Sequence, residues 1–430
     1  MGDGGSADSK GFIAGAQKRF GQRLRRKLVY EEVGVAADTF PLQDDGRQGT
    51  NERVAVRDGL PTALVWTSTT LCSGCDLPED WFFSMTPADA QVTIIRASSI
   101  LRTREHSVPD EYDIEETARR NLMTFRGRDF LSMDDLSPSE VWQVLDYATE
   151  LKRRGTAGER PPVLSGKVLA MIFEKPSLRT RVTFEVGMWE LGGHAIYLAP
   201  QDIQLGTRES PTDVAHNLER WTAGIMARVF SHELLEQFAR AATIPVINGL
   251  SDREHPCQTL ADLLTIRERF RGLEGIRVAW IGDGNNVCQS LLLGAAKVGA
   301  HVSVATPPGY EPDETVLARA KAIAAHTGSR ISAGTDPRAA AREADVLYTD
   351  VWLSMGHEGE RAERLAAFAN YQVDARMVSE AARGVVVMHC LPAHRGEEIT
   401  PEVLDGPASI VLEQAENRLH AQKALLALTL

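Results

Sequence analysis

Cysteine, basic charge and long hydrophobic runs are all scarce in this 430-residue sequence. The five cysteines are an odd and sparse set, unlike the dense pairs that staple small secreted domains, so we expect a reducing cytoplasm as the compartment. No apolar stretch approaches the roughly 20 residues that a membrane-spanning helix needs, so we expect no membrane partner. Lysine and arginine number 47 against 59 aspartate and glutamate residues, and the resulting formal charge of −12 argues against a nucleic-acid partner.

The composition that is present is that of a folded protein with more than one domain. Hydrophobic residues make up 43% and charged residues 25% of the chain, which are ordinary values for globular proteins. At roughly 150 residues per domain, the length corresponds to two or three domains. Regular apolar periodicity begins only near residue 120.

Residues 1–122 contain no clear series of strands and helices. We interpret them as a poorly ordered extension that the function does not require. Apolar runs at 63–66 and 91–95 keep open a small folded module as the alternative. Cys72 and Cys75 form a Cys-x2-Cys pair, but the absence of a second such pair makes it weak evidence for a metal or redox site.

From residue 167 onward, apolar runs of strand length alternate with helix-like segments. The runs are rich in β-branched residues without polar alternation, which is typical of parallel strands covered by helices on both faces. The sequence therefore predicts an α/β fold of two similar doubly wound parallel-sheet domains with the active site in the cleft between them. The boundaries we assign are 123–270 for the first domain, 271–412 for the second, and 413–430 for a C-terminal helix that packs back on the first.

The segment at 174–181, EKPSLRTR, follows a strand-like run and opens a helix. A helix N-terminus presents unpaired backbone amides and the positive end of the helix dipole, and Ser177, Arg179 and Thr180 add side-chain donors. These features predict a site for a phosphate or carboxylate. Alternatively, Ser177 only caps the helix while the arginines face water, and composition alone does not decide between the two.

Five short segments carry a more specific signal. They are FEKPSLRTR at 173–181, ARVF at 227–230, HPCQ at 255–258, DVWLSMG at 350–356 and HCLP at 389–392. With these segments in this order, the chain from about residue 123 to the C-terminus resembles the ornithine carbamoyltransferases of the transcarbamoylase family. The resemblance implies transfer of the carbamoyl group of carbamoyl phosphate to the δ-amine of L-ornithine, which gives L-citrulline and phosphate. It also implies no cofactor, a role in arginine biosynthesis, and a homotrimer or a multiple of trimers.

The resemblance assigns nine residues to carbamoyl phosphate. They are Ser177, Leu178, Arg179, Thr180, Gln204, Arg228, His255, Gln258 and Arg418. Leu178 stands where threonine is commoner in the family, but its backbone amide remains able to hold phosphate. Gln204 corresponds to the residue that reaches from one subunit to the phosphate in its neighbour. Donors such as Thr180, Arg228 and His255 would stabilise the negative charge that builds on the carbonyl oxygen during attack.

A second set of six residues is assigned to ornithine. They are Asn286, Asp350, Ser354, Met355, Cys390 and Leu391. The resemblance implies that Asp350 pairs with the α-ammonium group, that Asn286 holds the α-carboxylate side, and that Cys390 helps the δ-amine to lose its proton. Arg228, His255, Asp350 and Cys390 form the expected catalytic set.

Other interpretations use some of the same residues. IGDGNN at 281–286 lies between a strand and a helix, as in a dinucleotide-binding oxidoreductase, but Val287 stands where the third glycine belongs. A non-enzymatic protein that binds carbamoyl phosphate is another alternative. Within the family, the amine could also be aspartate, putrescine or acetylornithine.

Histidine and cysteine also occur close together in two of the segments. His389, Cys390 and His394, or His255 and Cys257, have residue types that bind zinc. Neither set has a paired Cys-x2-Cys partner nearby, so we expect roles in structure or in lining the substrate site and no metal.

Overall fold

The computed structural model describes residues 125–353 and 358–430, together with four strands nearer the N-terminus. These strands are β1 (Asp38–Pro41), β2 (Leu64–Thr67), β3 (Trp81–Thr86) and β4 (Gln91–Arg96). They pair antiparallel in the order β1-β4-β3-β2.

The four strands belong to a unit, Met1–Asp110, that is separate from Glu111–Leu430. Strands β2 and β4 coincide with the two apolar runs noted in the sequence. Cys72 and Cys75 lie outside the described residues.

The first α/β domain is built on a four-stranded parallel sheet. Its strands are β5 (Val168–Phe173), β6 (His194–Leu198), β7 (Gly224–Arg228) and β8 (Val246–Leu250), in the order β6-β5-β7-β8. Its helices are α1 (Pro138–Thr156), α2 (Leu178–Glu190), α3 (Pro200–Ile203), α4 (Pro211–Trp221), α5 (His232–Ala241) and α6 (Pro256–Phe270), after a 3-10 turn at Met133–Asp135. Strands β5, β7 and β8 are almost wholly buried, as the unbroken apolar runs predict.

The second α/β domain is built on a five-stranded parallel sheet. Its strands are β9 (Arg277–Ile281), β10 (His301–Ala305), β11 (Ile331–Gly334), β12 (Val346–Thr349) and β13 (Val386–His389), in the order β11-β10-β9-β12-β13. Its helices are α7 (Asn286–Lys297), α8 (Glu314–Thr327), α9 (Pro337–Ala341), α10 (Arg361–Ala367), α11 (Ala375–Glu380) and α12 (Pro401–Leu404), with a 3-10 turn at Glu358–Glu360.

The last helix, α13 (Val411–Thr429), returns to the first domain. It packs against α1, α2 and α6, and most of its residues are buried. A single buried apolar cluster includes Leu264 of α6, Leu292 of α7 and Leu425 of α13. The two domains therefore share a core along these helices.

Strand order places the candidate site. In the first sheet β6 lies on one side of β5, and the chain then crosses to place β7 on the other side. In the second sheet the strand order reverses in the same way between β9 and β12. Ligands of open parallel sheets bind in the crevice that such a reversal creates at the carboxyl ends of the strands. The loop after β5 carries Ser177, Arg228 ends β7, Asn285 follows β9 and Asp350 follows β12.

The expected fold of two parallel-sheet α/β domains is confirmed. Eight strand-like runs were apparent in the sequence, whereas the two sheets contain nine strands, and the additional one is β11. Its sequence is ISAG, it lies at a sheet edge and it is largely exposed, so it lacks the apolar run that marks a buried strand. Among the described residues, no helix combines the length and apolar character needed to cross a bilayer.

Candidate active site

The N-terminus of α2 supplies the first part of the site. Ser177 is the N-cap, and its Oγ accepts a hydrogen bond from the Thr180 amide at 3.2 Å. Leu178 follows and is 73% exposed, so its side chain is not packed in the core. Ser177 therefore caps the helix, as the simpler interpretation expects, but Arg179 is only partly exposed and does not lie free in water.

Three arginines form a basic cluster at this end of the cleft: Arg179, Arg228 and Arg418. Arg228 is 7% and Arg418 2% exposed. Burial, together with the positive charges of Arg418 and Arg179, lowers the pKa of Arg228 to about 9. Burial likewise lowers the pKa of Arg179 and of Arg418. Like charges held together out of water are unfavourable, so a bound anion would stabilise the cluster.

Arg418 is the centre of a hydrogen-bonding network that joins α13 to α2 and α6. Its Nη1 donates to Gln258 Oε1 at 2.7 Å, and its Nη2 donates to Thr180 Oγ1 at 3.2 Å. Nη1 also lies 3.4 Å from His255 Nε2. The C-terminal helix therefore brings its arginine to residues more than 150 positions earlier in the chain.

His255 is held as a neutral side chain. It is 5% exposed, and burial, together with the charges of Arg418, Arg228 and Arg179, holds its pKa well below the usual range. Because Nε2 faces the Arg418 donor, neutral imidazole carries its proton on Nδ1. No described residue accepts a hydrogen bond from Nδ1, which leaves it as a donor for a ligand.

Two further nitrogens in this cluster lack partners. Among the described residues, no hydrogen-bond acceptor reaches Arg228 Nε or Arg418 Nε, although both atoms are buried. Buried donors without acceptors are uncommon in native proteins and call for an explanation. A bound anion with several oxygens would supply the missing negative charge.

The opposite wall of the cleft is formed by the ends of β9, β12 and β13. Asp350, 7% exposed, accepts hydrogen bonds from Asn285 Nδ2 at 2.8 Å and from its neighbour's amide, Val351 N, at 2.8 Å. Cys390 Sγ donates to Asp350 Oδ1 at 2.9 Å. Each carboxylate oxygen can accept two hydrogen bonds, so Oδ2 retains capacity for a cationic ligand group.

The Cys390 thiol is protonated in this setting. Burial and the adjacent Asp350 carboxylate raise its pKa well above the usual range, while Arg179 lowers it to a smaller extent. A thiolate at this position would be both desolvated and next to a negative charge. Cys390 is therefore a hydrogen-bond donor here and not a ready base.

Asn286 and Leu391 border the same cleft. Asn286 opens α7, and its Nδ2 donates to the Ser251 carbonyl at 2.5 Å, which links the second domain to the first. Leu391 has a φ of +60° and precedes a cis peptide bond to Pro392. Its amide donates to His389 Nδ1 at 2.9 Å, and this hydrogen bond holds the backbone of the turn in place.

Three of the expected site residues are not placed with the others. Ser354 and Met355 lie outside the described residues. Gln204 is described, but it is exposed and in the left-handed region at the end of α3, with a φ of 52°. The structure does not bring its side chain to the arginine cluster of the same chain.

Several residues that share the site were not singled out from the sequence. Asn285 caps α7 and also holds Asp350, although its neighbour Asn286 drew attention. Asp262 lies one helical turn after Gln258 and accepts a hydrogen bond from its amide at 2.8 Å. Glu254, next to His255, accepts hydrogen bonds at its carboxylate from Ser290 and from Met133 of the 3-10 turn. The i,i+4 spacing of Gln258 and Asp262 is a local signal that could have identified Asp262, whereas the contacts of Asn285 and Glu254 depend on tertiary structure.

The loop after β9 does not have the form of a dinucleotide-binding turn. Asn285 Oδ1 already accepts from the amides of Val287 and Cys288, the donors that a pyrophosphate would use. A Cβ atom at Gly284 would lie 2.3 Å from the Pro312 nitrogen, so glycine is required there by packing against the 311–312 backbone.

The side chains of Asp350, His389 and Cys390 place possible metal-ligand atoms within 4.8 Å of one another. Both nitrogens of His389 are engaged, however, because Nδ1 accepts from the Leu391 amide and Nε2 pairs with Glu398 at 3.1 Å. The donor set therefore fits a histidine with both nitrogens hydrogen-bonded and a thiol better than a metal centre.

Comparison with known proteins provides independent information. The carbamoyl-phosphate-binding domain of the aspartate/ornithine carbamoyltransferase family matches residues 128–268, and its aspartate/ornithine-binding domain matches residues 274–429. An ornithine carbamoyltransferase of Carboxydothermus hydrogenoformans is 54% identical over 309 residues, which cover 72% of this chain and 99% of that protein. One of Methanoculleus marisnigri is 54% identical over 299 residues, covering 70% of this chain and 96% of that protein.

Solved structures give the same result. The ornithine carbamoyltransferase of Pyrococcus furiosus superposes with a TM-score of 0.70 at 51% identity and covers 71% of this chain and 97% of that chain. The enzyme of Gloeobacter violaceus superposes with a TM-score of 0.64 at 50% identity and covers 70% of this chain and 99% of that chain.

Proposed function

The chain belongs to the aspartate/ornithine carbamoyltransferase family and is an enzyme that transfers a carbamoyl group to ornithine, and we propose that the cluster around Arg418 together with Asp350 is where it does so. The observation that carries this assignment is that the arginine cluster joined by Arg418 to Thr180, Gln258 and His255 lies close enough to Asp350 and Cys390 for their charges to influence one another. One wall suits a doubly charged acyl phosphate, and the other suits an amino acid with a cationic amine.

The reaction needs a neutral amine. The δ-ammonium group of ornithine first loses a proton to solvent, and the amine then attacks the carbonyl carbon of carbamoyl phosphate. A C–N bond forms, the C–O bond to phosphate breaks, and phosphate leaves with the electron pair. The proton released from the attacking nitrogen ends on phosphate, so the products are citrulline and hydrogen phosphate.

The basic wall binds carbamoyl phosphate. The helix N-terminus at Ser177–Thr180, with Arg179 and Arg228, holds the phosphate oxygens through charge-assisted hydrogen bonds. His255 Nδ1–H and Arg418 donate toward the carbonyl oxygen, where negative charge develops during attack. Each such donor typically contributes about 3 kcal/mol to stabilising the transition state. Gln258 fixes the Arg418 guanidinium and lies within reach of the carbamoyl group.

The acidic wall binds ornithine. Asp350 accepts a hydrogen bond from the α-ammonium group, while Asn285 and Cys390 hold the carboxylate in place. Asn286 and the backbone turn at Leu391 border the carboxylate side of the substrate. Ser354 and Met355 belong to this part of the site by their place in the DVWLSMG segment. The scheme needs no metal or organic cofactor.

The proposed assembly is a homotrimer or a multiple of it, with Gln204 completing the phosphate site of a neighbouring subunit. Gln204 is exposed, and its backbone is in the left-handed region at the end of α3. Leu178, Val182 and Trp189 lie on one face of α2 with 73%, 45% and 69% of their side chains exposed. Ile196, on the edge strand β6, is 42% exposed. Exposed apolar groups of this size beside an active site are typical of subunit interfaces.

We also propose a cytoplasmic enzyme of arginine biosynthesis. The described cysteines Cys257, Cys288 and Cys390 are free thiols, which suits a reducing compartment. Similarity to ornithine carbamoyltransferases supports the metabolic assignment.

A steady-state assay with competing amines tests the function. Purified protein is given carbamoyl phosphate with ornithine, putrescine, aspartate or acetylornithine, and carbamoylated product and phosphate are both measured. Ornithine should give the highest kcat/KM and equimolar citrulline and phosphate. Efficient carbamoylation of another amine without citrulline formation would contradict the assignment, and phosphate release without any carbamoylated amine would indicate binding or hydrolysis alone.

A further inference from the structure

Asp262 lies at the meeting point of three elements and is not among the residues assigned to either substrate. It is fully buried on α6. Its Oδ1 accepts from Gln258 Nε2 of the same helix at 2.8 Å and from Gln414 Nε2 of α13 at 2.7 Å, and its Oδ2 accepts from the Tyr348 hydroxyl of β12 at 2.9 Å. One carboxylate thus joins the first domain, the C-terminal helix and the second domain.

The first connection leads to the carbamoyl-phosphate wall. An amide side chain whose NH2 group is fixed has its oxygen fixed on the opposite side. With Nε2 of Gln258 bound to Asp262, its Oε1 points to Arg418 Nη1 at 2.7 Å. Arg418 in turn donates to Thr180. Asp262 therefore determines which end of the Gln258 amide meets the guanidinium.

The second connection leads to the ornithine wall. The Nε2 atom of Gln414 donates to Asp262, and its Oε1 accepts from the His389 amide at 2.9 Å. His389 immediately precedes Cys390, which donates to Asp350. The same carboxylate oxygen therefore orients both glutamines, one toward each half of the site.

We propose that Asp262 is a positioning residue that sets the carbamoyl-phosphate and ornithine half-sites in register through Gln258 and Gln414. This proposal rests on the function proposed above. Burial raises the pKa of Asp262 to about 6, and the hydrogen bonds from Gln258, Gln414 and Tyr348 oppose that rise. To position the two glutamines, Asp262 must offer hydrogen-bond acceptor oxygens at fixed places, and its negative charge matters less.

A purely structural role for Asp262 is the competing explanation. In that case its removal would lower stability and reduce the amount of active enzyme, but the KM values of the folded fraction would stay unchanged. A double-mutant cycle separates the two explanations, because residues that act through one another give non-additive effects. The wild-type assay with ornithine tests the proposed function itself and does not depend on Asp262.

The cycle combines Asp262→Ala with Gln258→Ala in the full chain. Asp262→Ala alone should raise KM for carbamoyl phosphate by about 10-fold or more, and KM for ornithine by a smaller factor, since a misdirected donor loses roughly one hydrogen bond to a charged group. In the Gln258→Ala background, adding Asp262→Ala should change KM for carbamoyl phosphate by less than about 2-fold. It should still raise KM for ornithine, because the Gln414 connection remains. Multiplied effects on KM for carbamoyl phosphate would overturn the proposal.

Asp262→Asn serves as the conservative variant. Its Oδ1 can still accept from both glutamines, and its Nδ2 can donate to the Tyr348 hydroxyl, which then accepts. Both KM values should therefore remain within about 3-fold of wild type. Losses as large as those of Asp262→Ala would show that the charge matters and not the acceptor positions, and would refute the proposal.

A matched control is available one turn further along α6. Thr265 is also buried, donates to the Ala261 carbonyl and accepts from Asn417, but is not bonded to either glutamine. Thr265→Val should lower the melting temperature without changing either KM. If Asp262→Ala does not yield folded protein, Asp262→Ser takes its place in the cycle. A Thr265→Val variant that raised KM for carbamoyl phosphate as much as the Asp262 variant would contradict a specific role.

Discussion

Cys390 donates its thiol proton to Asp350 Oδ1 across 2.9 Å. This contact joins the end of β13 to the end of β12 and places a neutral donor, and not a second negative charge, next to the carboxylate. Asn285 completes the arrangement by donating to the other oxygen. The ornithine wall therefore carries one negative charge, held at a fixed position, which matches one ammonium group.

Because Cys390 is protonated, we expect it not to contribute to the pH dependence of kcat/KM for ornithine. Because its pKa lies well above the usual range, the thiol keeps its proton as pH rises through the neutral region, and loss of that proton lies above the working range. The value of kcat/KM for ornithine, measured with saturating carbamoyl phosphate, should rise with pH as the δ-ammonium group of free ornithine loses its proton, with no contribution from Cys390. Profiles for wild type and Cys390→Ser should have the same midpoint. A midpoint that moves by a full pH unit in the variant would show that Cys390 itself titrates.

The two walls predict a division of labour between Arg179 and Asp350. Arg179→Ala should raise KM for carbamoyl phosphate about 10- to 100-fold, since a hydrogen bond to a charged group contributes roughly 1.5–3 kcal/mol. Asp350→Asn should instead raise KM for ornithine and leave KM for carbamoyl phosphate within about 3-fold of wild type. Kinetics with each substrate varied in turn measure both effects.

Arg181 provides the control on the same helix. Its Nε lies 3.1 Å from Glu185, and its guanidinium covers the ring of Tyr197 on the surface. Arg181→Ala should keep both KM values near wild type. Equal loss of carbamoyl phosphate affinity in the Arg179 and Asp350 variants would contradict the division of labour.

We expect the buried arginine cluster to lower the stability of the free protein while enabling it to bind phosphate. The lowered pKa of Arg228 reflects burial and repulsion from Arg418 and Arg179 that a bound anion relieves. Inorganic phosphate should therefore raise the melting temperature of the wild type, by an amount corresponding to about 2.7 kcal/mol at 100 times its dissociation constant. Arg228→Met should melt at or above the wild-type temperature without phosphate and respond much less to phosphate.

The stability difference between Arg228→Met and wild type should depend on pH, because the pKa of Arg228 is lowered in the folded state. A cation whose pKa is lowered on folding destabilises the folded state below that pKa, and the cost fades as pH rises through it. The advantage of Arg228→Met without ligand should therefore shrink above about pH 9. Differential scanning fluorimetry at several pH values measures this, with the surface variant Arg240→Met as control. An Arg228→Met protein that melts well below the wild type and still responds fully to phosphate would contradict the prediction.

Much of the fold could be predicted from local sequence, and the element that was not predicted, β11, has a physical explanation. Unbroken apolar runs predict buried parallel strands because both faces of such strands are covered, and β5, β7 and β12 follow this rule. The short edge strand β11 does not, since its exposed side chains need no apolar pattern.

In the candidate site, too, local sequence predicts the motif-bearing segments but not the long-range contacts between them. Motifs marked the segments that contain Arg179, Arg228 and Asp350, because the carboxyl ends of parallel strands meet at one edge of a sheet. The contacts between Tyr348 and Asp262, 86 positions apart, and between Gln414 and Asp262, 152 positions apart, have no local signature. They depend on how α13 and the second domain pack on α6. The roles assigned to individual site residues stay predictions that mutagenesis must test.

Subunit sharing of the site predicts complementation between inactive variants. Arg228→Ala removes a residue from the site of its own chain, whereas Gln204→Ala removes the residue proposed to reach the neighbouring site. In a trimer assembled from equal amounts of both variants, about a quarter of the interfaces would carry both wild-type residues by random mixing. Refolded mixtures of verified mixed oligomers should recover about that fraction of wild-type activity. Activity no higher than in the separate variants would show that Gln204 does not act across an interface.

The last prediction concerns residues 1–122, which supply none of the residues assigned to the reaction. The family matches begin at residue 128, and the relative from Carboxydothermus hydrogenoformans is matched over 99% of its own length. The unit Glu111–Leu430 contains both α/β domains and their shared core. A shortened chain that begins at Met123 should therefore keep the oligomeric state, the melting temperature of the core and the kinetics with ornithine, since a terminal segment that is not part of a core usually tolerates removal. Size-exclusion chromatography with light scattering, thermal unfolding and steady-state assays compare the two chains. Loss of the oligomer or of activity on shortening would show instead that the first 122 residues are an integral part of the enzyme.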